Sequence, residues 1–179
     1  MEDKKLRQRA KIVIPNGMYG HQGTRFLPSN WPQFYQKAKG CYLWDLDGRK
    51  YTDLLCAYGP IILGYGNQTV DKAVQNQMLD LDTGTGPSAR MVELAETLVK
   101  LTPSATWCMF AKNGNDVTTL ALTVARAFTG KKAILVQPQG YHGAGPVWTK
   151  GRPGVLENDT AHQINYEYNN LESVRKAVG

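Results

Sequence analysis

"MFAKNGNDVTTLALTVARAF", residues 109–128, places an apolar run, five polar residues and an amphipathic stretch in direct succession. The overlapping run "WCMFA", residues 107–111, predicts a strand, and apolar residues recur at helical spacing over 117–128. Gly130 follows this predicted helix and is expected to end it. "KAILVQ", residues 132–137, predicts a further strand, parallel to the first through a right-handed crossover.

The other segments of the chain continue this alternation of strands and helices. Residues 40–55 predict two short strands around an Asp-Gly turn. Apolar periodicity predicts helices over 70–81 and about 90–101, and residues 172–179 are helix-like. Glycines and prolines predict that residues 1–33 form an irregular arm. The pattern as a whole predicts an α/β protein with a partly parallel sheet.

The composition limits the classes of ligand and partner. The chain has 179 residues, 42% of them hydrophobic, and a net charge of +6 that is spread along its length. No block interleaves basic with aromatic residues, so the charge favours a phosphorylated or carboxylate-bearing small molecule over nucleic acid.

The cysteines and the hydropathy limit the environment. Cys41, Cys56 and Cys108 are odd in number and far apart, which favours reduced thiols over disulfides or a metal site. The chain has no apolar leader and no run of about 18 apolar residues. We therefore expect a soluble, cytoplasmic protein with no metal, no membrane association and no nucleic-acid partner.

The turn "KNGND", residues 112–116, has the chemistry of an anion site. It follows a predicted strand and opens a helix, where ligands bind in open parallel sheets. Gly114 allows close backbone approach, and N–H groups near Asn115 and Asp116 would face an anion at the positive end of the helix. Asn113 and Asn115 would add side-chain donors.

Two other interpretations of this turn are weighed against the anion site. Asn115 or Asp116 could simply cap the helix, and the turn taken alone favours that interpretation. The chain contains neither GxGxxG nor GxxxxGK[ST], so dinucleotide and P-loop sites are only weakly supported.

A second polar segment, "QPQGYHGAG" at residues 137–145, follows the next predicted strand. Tyr141 and His142 stand between Gly140 and Gly143, at a strand end that would face the same crevice as the anion turn. An aromatic face beside an anion site suggests a planar cofactor. Taken alone, such a segment is more typical of a surface turn.

In combination, five segments resemble the N-terminal part of class III pyridoxal-phosphate aminotransferases, and most of all the glutamate-1-semialdehyde aminomutase branch. The segments are "YLWDLDGRKYTDLL", "GYGNQTVDKAV", "MFAKNGNDVTTLALTVARAFTG", "GYHG" and "YNNLESVRKA". The resemblance implies the aspartate-aminotransferase-like fold type I. It assigns 1–55 to an N-terminal arm and small-domain strands, and 56–179 to the first, incomplete part of the large cofactor-binding domain.

The resemblance also implies a cofactor site. Asn113, Gly114 and Asn115 match the family's phosphate cup, with asparagines where the family has hydroxyl residues, and Asp116 takes the acidic position. Tyr141 would stack on the pyridine ring of pyridoxal 5'-phosphate, with His142 beside it.

Further residues match substrate and partner positions of the family. Tyr58 and Arg25 would contact the substrate, Arg25 through a carboxylate. Thr85, Gly86 and Ser88 would serve the partner subunit's site in a homodimer with shared active sites.

The implied activity is amino-group transfer from an amino donor to a carbonyl acceptor, or an intramolecular aminomutase reaction. The lysine that anchors the cofactor in this family is expected beyond Gly179. The 179 residues would therefore carry no catalytic residue and would be inactive alone. Two other classes stay open, a catalytically silent homologue and a module that binds a sugar phosphate or nucleotide.

Overall fold

The computed structural model describes residues 2–18, 23–28 and 30–179. The chain forms two compact units, Met1–Ser88 and Ala89–Gly179, and each combines helices with a small β-sheet. Among the residues that the structure describes, no helix has the length and apolar character needed to cross a bilayer.

The first unit begins with helix α1, Glu2–Val13, so the prediction of an irregular arm was wrong for these residues. The glycines and prolines behind that prediction all lie from residue 15 onward. Buried Asp3 ties the helix to distant backbone: Oδ1 accepts the N–H groups of Gln33 and Phe34 at 3.0 Å each. Its Oδ2 accepts the Arg7 Nε–H at 2.5 Å. Such long-range support leaves no trace in local periodicity.

A three-stranded antiparallel sheet, in the order β1-β2-β3, follows α1. Its strands are β1 (Tyr35–Lys39), β2 (Tyr42–Asp45) and β3 (Lys50–Thr52). The hairpin β2–β3 confirms the predicted pair of strands around the Asp-Gly turn. Strand β1 was not predicted, because its sequence "YQKAK" has no apolar alternation. All five of its residues are exposed.

Asp45 organises the hairpin turn and is only 2% exposed. Its Oδ1 accepts the backbone N–H groups of Asp47 and Arg49 at 2.9 and 2.8 Å. Its Oδ2 accepts the Tyr51 hydroxyl at 2.8 Å. Burial by itself would raise the pKa of this carboxyl, but the three hydrogen bonds outweigh it and hold the pKa below its ordinary value.

Residues Cys56–Tyr58 form a left-handed turn that continues into Gly59, with φ values of 52°, 50°, 66° and 111°. This conformation costs a non-glycine residue about 1 kcal/mol or more. Asp53 holds the start of the turn, where its Oδ1 accepts two backbone N–H groups at 2.8 and 3.1 Å. Its Oδ2 accepts the Tyr65 hydroxyl at 2.6 Å, and this hydrogen bond, together with burial, raises the pKa of Tyr65 to about 12.

Replacing Ala57 by glycine tests whether the turn is strained. Ala57→Gly is expected to stabilise the chain by about 0.5 kcal/mol, because removing the strained Cβ outweighs the added freedom of the unfolded chain. Urea unfolding measures the change. The matched variant Ala121→Gly, within a helix of the second unit, should instead destabilise by about 1 kcal/mol. Equal destabilisation by both variants would show that the turn is unstrained.

Helix α2, Gln68–Asp80, completes the regular structure of the first unit and confirms the helix predicted over 70–81. The Asn67 side chain caps it by accepting the N–H groups of Thr69 and Val70.

The second unit contains four α-helices, a short 3₁₀ turn at Pro146–Trp148 and a parallel pair of strands among its described residues. The helices and strands are α3 (Ala89–Leu101), α4 (Gly114–Thr129), β4 (Ile134–Val136), α5 (Glu157–Thr160), β5 (Gln163–Asn165) and α6 (Leu171–Val178). Helices α3, α4 and α6 and strand β4 confirm the sequence predictions. Strand β5 was not predicted, and it pairs in parallel with β4.

The strand predicted over 107–111 is not formed. No backbone group of these five residues forms a hydrogen bond to the rest of the described chain, whereas β4 pairs with β5. The prediction that 107–111 would run parallel to β4 was therefore wrong for this chain. The physical reason is that an apolar run becomes a strand only where a neighbouring strand satisfies its backbone.

Helix α4 ends as predicted, but its apolar stripe lies largely in solvent. Gly130 has φ 68° and donates its N–H to the Arg126 carbonyl at 2.9 Å. Leu122 is buried, while Val124 and Phe128 are 39% and 90% exposed. Local periodicity and capping thus formed the helix without the packing partner that the stripe predicts.

Candidate functional site

The first turn of α4 leaves two backbone donors free. Asn113 caps the helix, accepting the Asp116 N–H at 3.1 Å, so the alternative in which Asn115 or Asp116 is the cap was wrong. The N–H groups of Gly114 and Asn115 find no acceptor within the described ranges. These are the unsatisfied amides that bind anions at helix N-termini.

The surroundings of the Gly114 α-carbon are unobstructed. A Cβ added to Gly114 would meet no atom within 4 Å, so the fold itself does not require glycine there. The side-chain oxygens of Asn113 and Asn115 already accept the N–H groups of Asp116 and Gly145. Only their Nδ2 groups therefore remain to bind an anion. Two free backbone amides and two side-chain amide groups are donors of the kind that bind a phosphate group.

Three hydrogen bonds join the segment after β4 to the first turns of α4, and one of them runs from Trp148 Nε1–H to Thr119 Oγ1 at 3.2 Å. The Gly145 N–H donates to Asn115 Oδ1 at 2.9 Å. One turn further along the helix, Thr118 Oγ1 donates to the His142 carbonyl at 2.8 Å. The structure therefore brings together the two segments, "KNGND" and "GYHG", that the sequence predicted to share a crevice.

Gly143 is required for this close approach. Its φ is 139°, and a Cβ at this position would lie 2.4 Å from Asn115 Oδ1. A side chain at this position would push the Asn115 side chain away from its hydrogen bond with Gly145, and the positive φ itself favours glycine.

A cavity of about 320 Å³ lies at the carboxyl ends of β4 and β5, where ligands bind in parallel sheets. Tyr141 is 81% exposed, so its ring is accessible. His142 Nε2 lies 3.0 Å from the Gln137 carbonyl and carries a hydrogen, because a carbonyl oxygen can only accept. The side chains that line this cavity include those of Tyr141, His142, Trp148, Lys150, Arg152 and Asn165.

The first unit holds the other five predicted site residues. The Arg25 guanidinium lies 4.5 Å from the Phe26 ring centroid, and Tyr58 is 57% exposed in the left-handed turn. Thr85, Gly86 and Ser88 lie between α2 and the end of the unit.

The sequence analysis missed several residues that shape the second unit's site. They are Thr118, Trp148, Lys150, Arg152, Gln163 and Asn165. Most lie between β4 and the end of β5, where no periodic pattern marks an element. The closely spaced basic pair, Lys150 and Arg152, in a glycine-rich stretch was the only local indication.

Comparison with known proteins gives one family match. The family model described as "Aminotransferase class-III" matches residues 27–147. Over 174 residues the chain is 48% identical to the aminopentol aminotransferase of Sphingopyxis macrogoltabida, covering 97% of this chain and 41% of the relative. It is 35% identical to the glutamate-1-semialdehyde 2,1-aminomutase of Methanocaldococcus jannaschii, covering 99% of this chain and 44% of that protein.

Solved structures are also similar to this chain. The FumI protein of Sphingopyxis sp. MTA144, in its PLP internal aldimine form, superposes with a TM-score of 0.93 at 47% identity. That alignment covers 98% of this chain and 42% of FumI. An omega-transaminase from Sphaerobacter thermophilus shares the fold, with a TM-score of 0.87 at 21% identity. The chain thus spans less than half the length of these relatives.

Proposed function

Because the chain belongs to the class-III aminotransferase family, we propose that it is the N-terminal part of an enzyme that transfers amino groups with pyridoxal 5'-phosphate. Its fold is the N-terminal portion of fold type I. The chain covers about 42% of the FumI chain. The proposed substrates are a small amino donor and a small carbonyl acceptor, or a single amino-carbonyl substrate in an aminomutase reaction.

One observation carries the proposal: two unsatisfied amides at the start of α4 lie beside the loop that presents Tyr141. The amides of Gly114 and Asn115, with the Nδ2 groups of Asn113 and Asn115, would hold the cofactor phosphate. When bound, the cofactor supplies an electron sink for the reacting carbon.

The chain's own residues would orient the cofactor. The exposed ring of Tyr141 would stack on the pyridine ring, and Asp116 would hold the family's acidic position at the helix start. His142 would lie beside the ring, with its orientation held by the bond from Nε2–H to the Gln137 carbonyl. Thr118 holds this loop to helix α4 by donating its hydroxyl hydrogen to the His142 carbonyl.

The remaining assignments follow from the family resemblance. Tyr58 and Arg25 would contact the substrate, and the segment containing Thr85, Gly86 and Ser88 would reach the second active site of a homodimer. The domain division at residue 55 and a cytoplasmic location stay predictions. We expect no amino-group transfer by the 179 residues alone, because the lysine that anchors the cofactor is expected beyond Gly179.

Substitutions of Tyr141 test the stacking role. Tyr141→Ala is expected to weaken pyridoxal phosphate binding about tenfold, whereas Tyr141→Phe should stay within about twofold, because the ring provides the contact. Fluorescence titration measures both. Tyr168, also 81% exposed, gives the control Tyr168→Ala, which should leave the affinity unchanged. An equal loss in the Phe and Ala variants would show that the hydroxyl, rather than the ring face, binds the cofactor.

Competition and turnover separate the proposal from its alternatives. Pyridoxal phosphate bound to the chain should resist displacement by ATP or a sugar phosphate at equal concentration. Preferential binding of ATP or the sugar phosphate would instead favour the alternative of a module that binds a sugar phosphate or nucleotide. Transfer from an amino donor by the complete enzyme would exclude a catalytically silent homologue.

A further inference from the structure

The cavity beside Tyr141 carries positive charge that the protein does not neutralise. Its lining includes Lys150 and Arg152 and contains no aspartate or glutamate. Neither cation forms an ion pair with any residue in the described ranges. A concave site lined by charges of one sign concentrates ligands of the opposite sign.

The turn that presents the two cations is anchored on both sides. Thr149 is only 6% exposed. Its carbonyl accepts the Arg152 backbone N–H at 3.1 Å, and its hydroxyl donates to the Gly145 carbonyl at 3.1 Å. The Gln163 side chain, at the start of β5, donates to the Val147 carbonyl. The backbone that carries Lys150 and Arg152 is therefore held in place by a buried residue and by strand β5.

From this arrangement we infer that Lys150 and Arg152 form a subsite for the carboxylate of a small oxo acid or amino acid. The planar guanidinium of Arg152 matches a carboxylate bidentately, and Lys150 adds a point charge. A cavity of about 320 Å³ is of the size that holds small molecules. The inference rests on the proposed function. Among the possible amino donors and acceptors, the subsite would select those that carry a carboxylate.

A phosphate group could also satisfy two cations, but the structure offers phosphate another place. The unsatisfied amides belong to Gly114 and Asn115, and neither residue lines the cavity. The cofactor phosphate and the substrate carboxylate would thus bind to different parts of the second unit.

Titration of the 179-residue chain tests the subsite directly. Pyruvate, added with and without pyridoxal phosphate, should shift the NMR signals of residues 149–152 saturably, while uncharged methyl pyruvate should not. Arg152→Gln should weaken pyruvate binding about tenfold. The control Lys131→Gln removes the same charge outside the cavity and should leave binding unchanged. Absence of pyruvate binding, or equal weakening in both variants, would overturn the inference.

Pyridoxal phosphate serves as the second probe, because its phosphate is the competing anion. Arg152→Gln should leave its affinity unchanged, and a loss as large as that for pyruvate would assign the cations to the cofactor and overturn the inference. Cofactor binding also reports the proposed function, so a chain that binds pyridoxal phosphate but not pyruvate fails only the subsite.

Kinetics of the complete enzyme provide the last measurement. Arg152→Gln should raise KM for the oxo acid about tenfold, with kcat and the KM for an uncharged aldehyde acceptor preserved. Arg25→Gln is the comparison, because Arg25 is the other predicted carboxylate ligand. A rise in KM confined to Arg25→Gln would overturn the role of Lys150 and Arg152.

Discussion

Gly114→Val is expected to lower the affinity for pyridoxal phosphate about a hundredfold while the chain stays folded. An added Cβ meets no protein atom within 4 Å, so the fold tolerates a side chain there, and we expect the branched group to compete with a phosphate held by the adjacent amides of Gly114 and Asn115. The branched group would exclude the phosphate and remove two hydrogen bonds to a charged acceptor. The general charge effect of a helix end is only about 0.3–1 kcal/mol, so these contacts must supply most of the loss.

Absorbance titration with pyridoxal phosphate measures the change, and circular dichroism checks the fold. Ala125→Val introduces the same side chain on the same helix away from the site, and should leave cofactor affinity unaltered. Full affinity in a folded Gly114→Val protein would remove the phosphate assignment from the start of α4.

Asp45→Ala is expected to destabilise the chain by about 4 kcal/mol, the largest stability effect that the structure predicts. The substitution leaves two backbone N–H groups and the Tyr51 hydroxyl without the acceptor they share. Urea unfolding measures the loss. Asp80→Ala, an exposed position in α2, is the control and should change stability by less than about 0.5 kcal/mol. A loss below 1 kcal/mol in Asp45→Ala would mean that the hairpin forms without this carboxylate.

The pH dependence of stability follows from the same carboxylate. The folded state lowers the pKa of Asp45, so this contribution is complete above the unfolded pKa of about 3.9. It is lost as the pH falls through the lower pKa of the folded state. Asp45→Asn should remove this part of the acid sensitivity. An unchanged acid transition in Asp45→Asn would show that other groups control it.

The sequence by itself determined the elements whose causes are local. Helix α4 begins where Asn113 caps it and ends where Gly130 adopts a positive φ, and both causes act within one helical turn. The hairpin β2–β3 similarly needs only its alternation and its turn. That the loop carrying Tyr141 would meet the start of α4 was predicted from a rule of sheet topology, but the strand at 107–111 on which that prediction relied is not formed. The hydrogen bonds that join the two segments could not be predicted.

Only the tertiary structure decided the features that depend on a distant partner. Helix α1 is anchored by Asp3 to backbone about 30 residues away, and residues 107–111 lack the neighbouring strand that would order their backbone. Lys150 and Arg152 become a candidate site only because β5 and buried Thr149 hold their turn beside the cavity. Local sequence encodes caps, turns and periodicity, whereas pairing, burial and the convergence of charges depend on which distant segments meet.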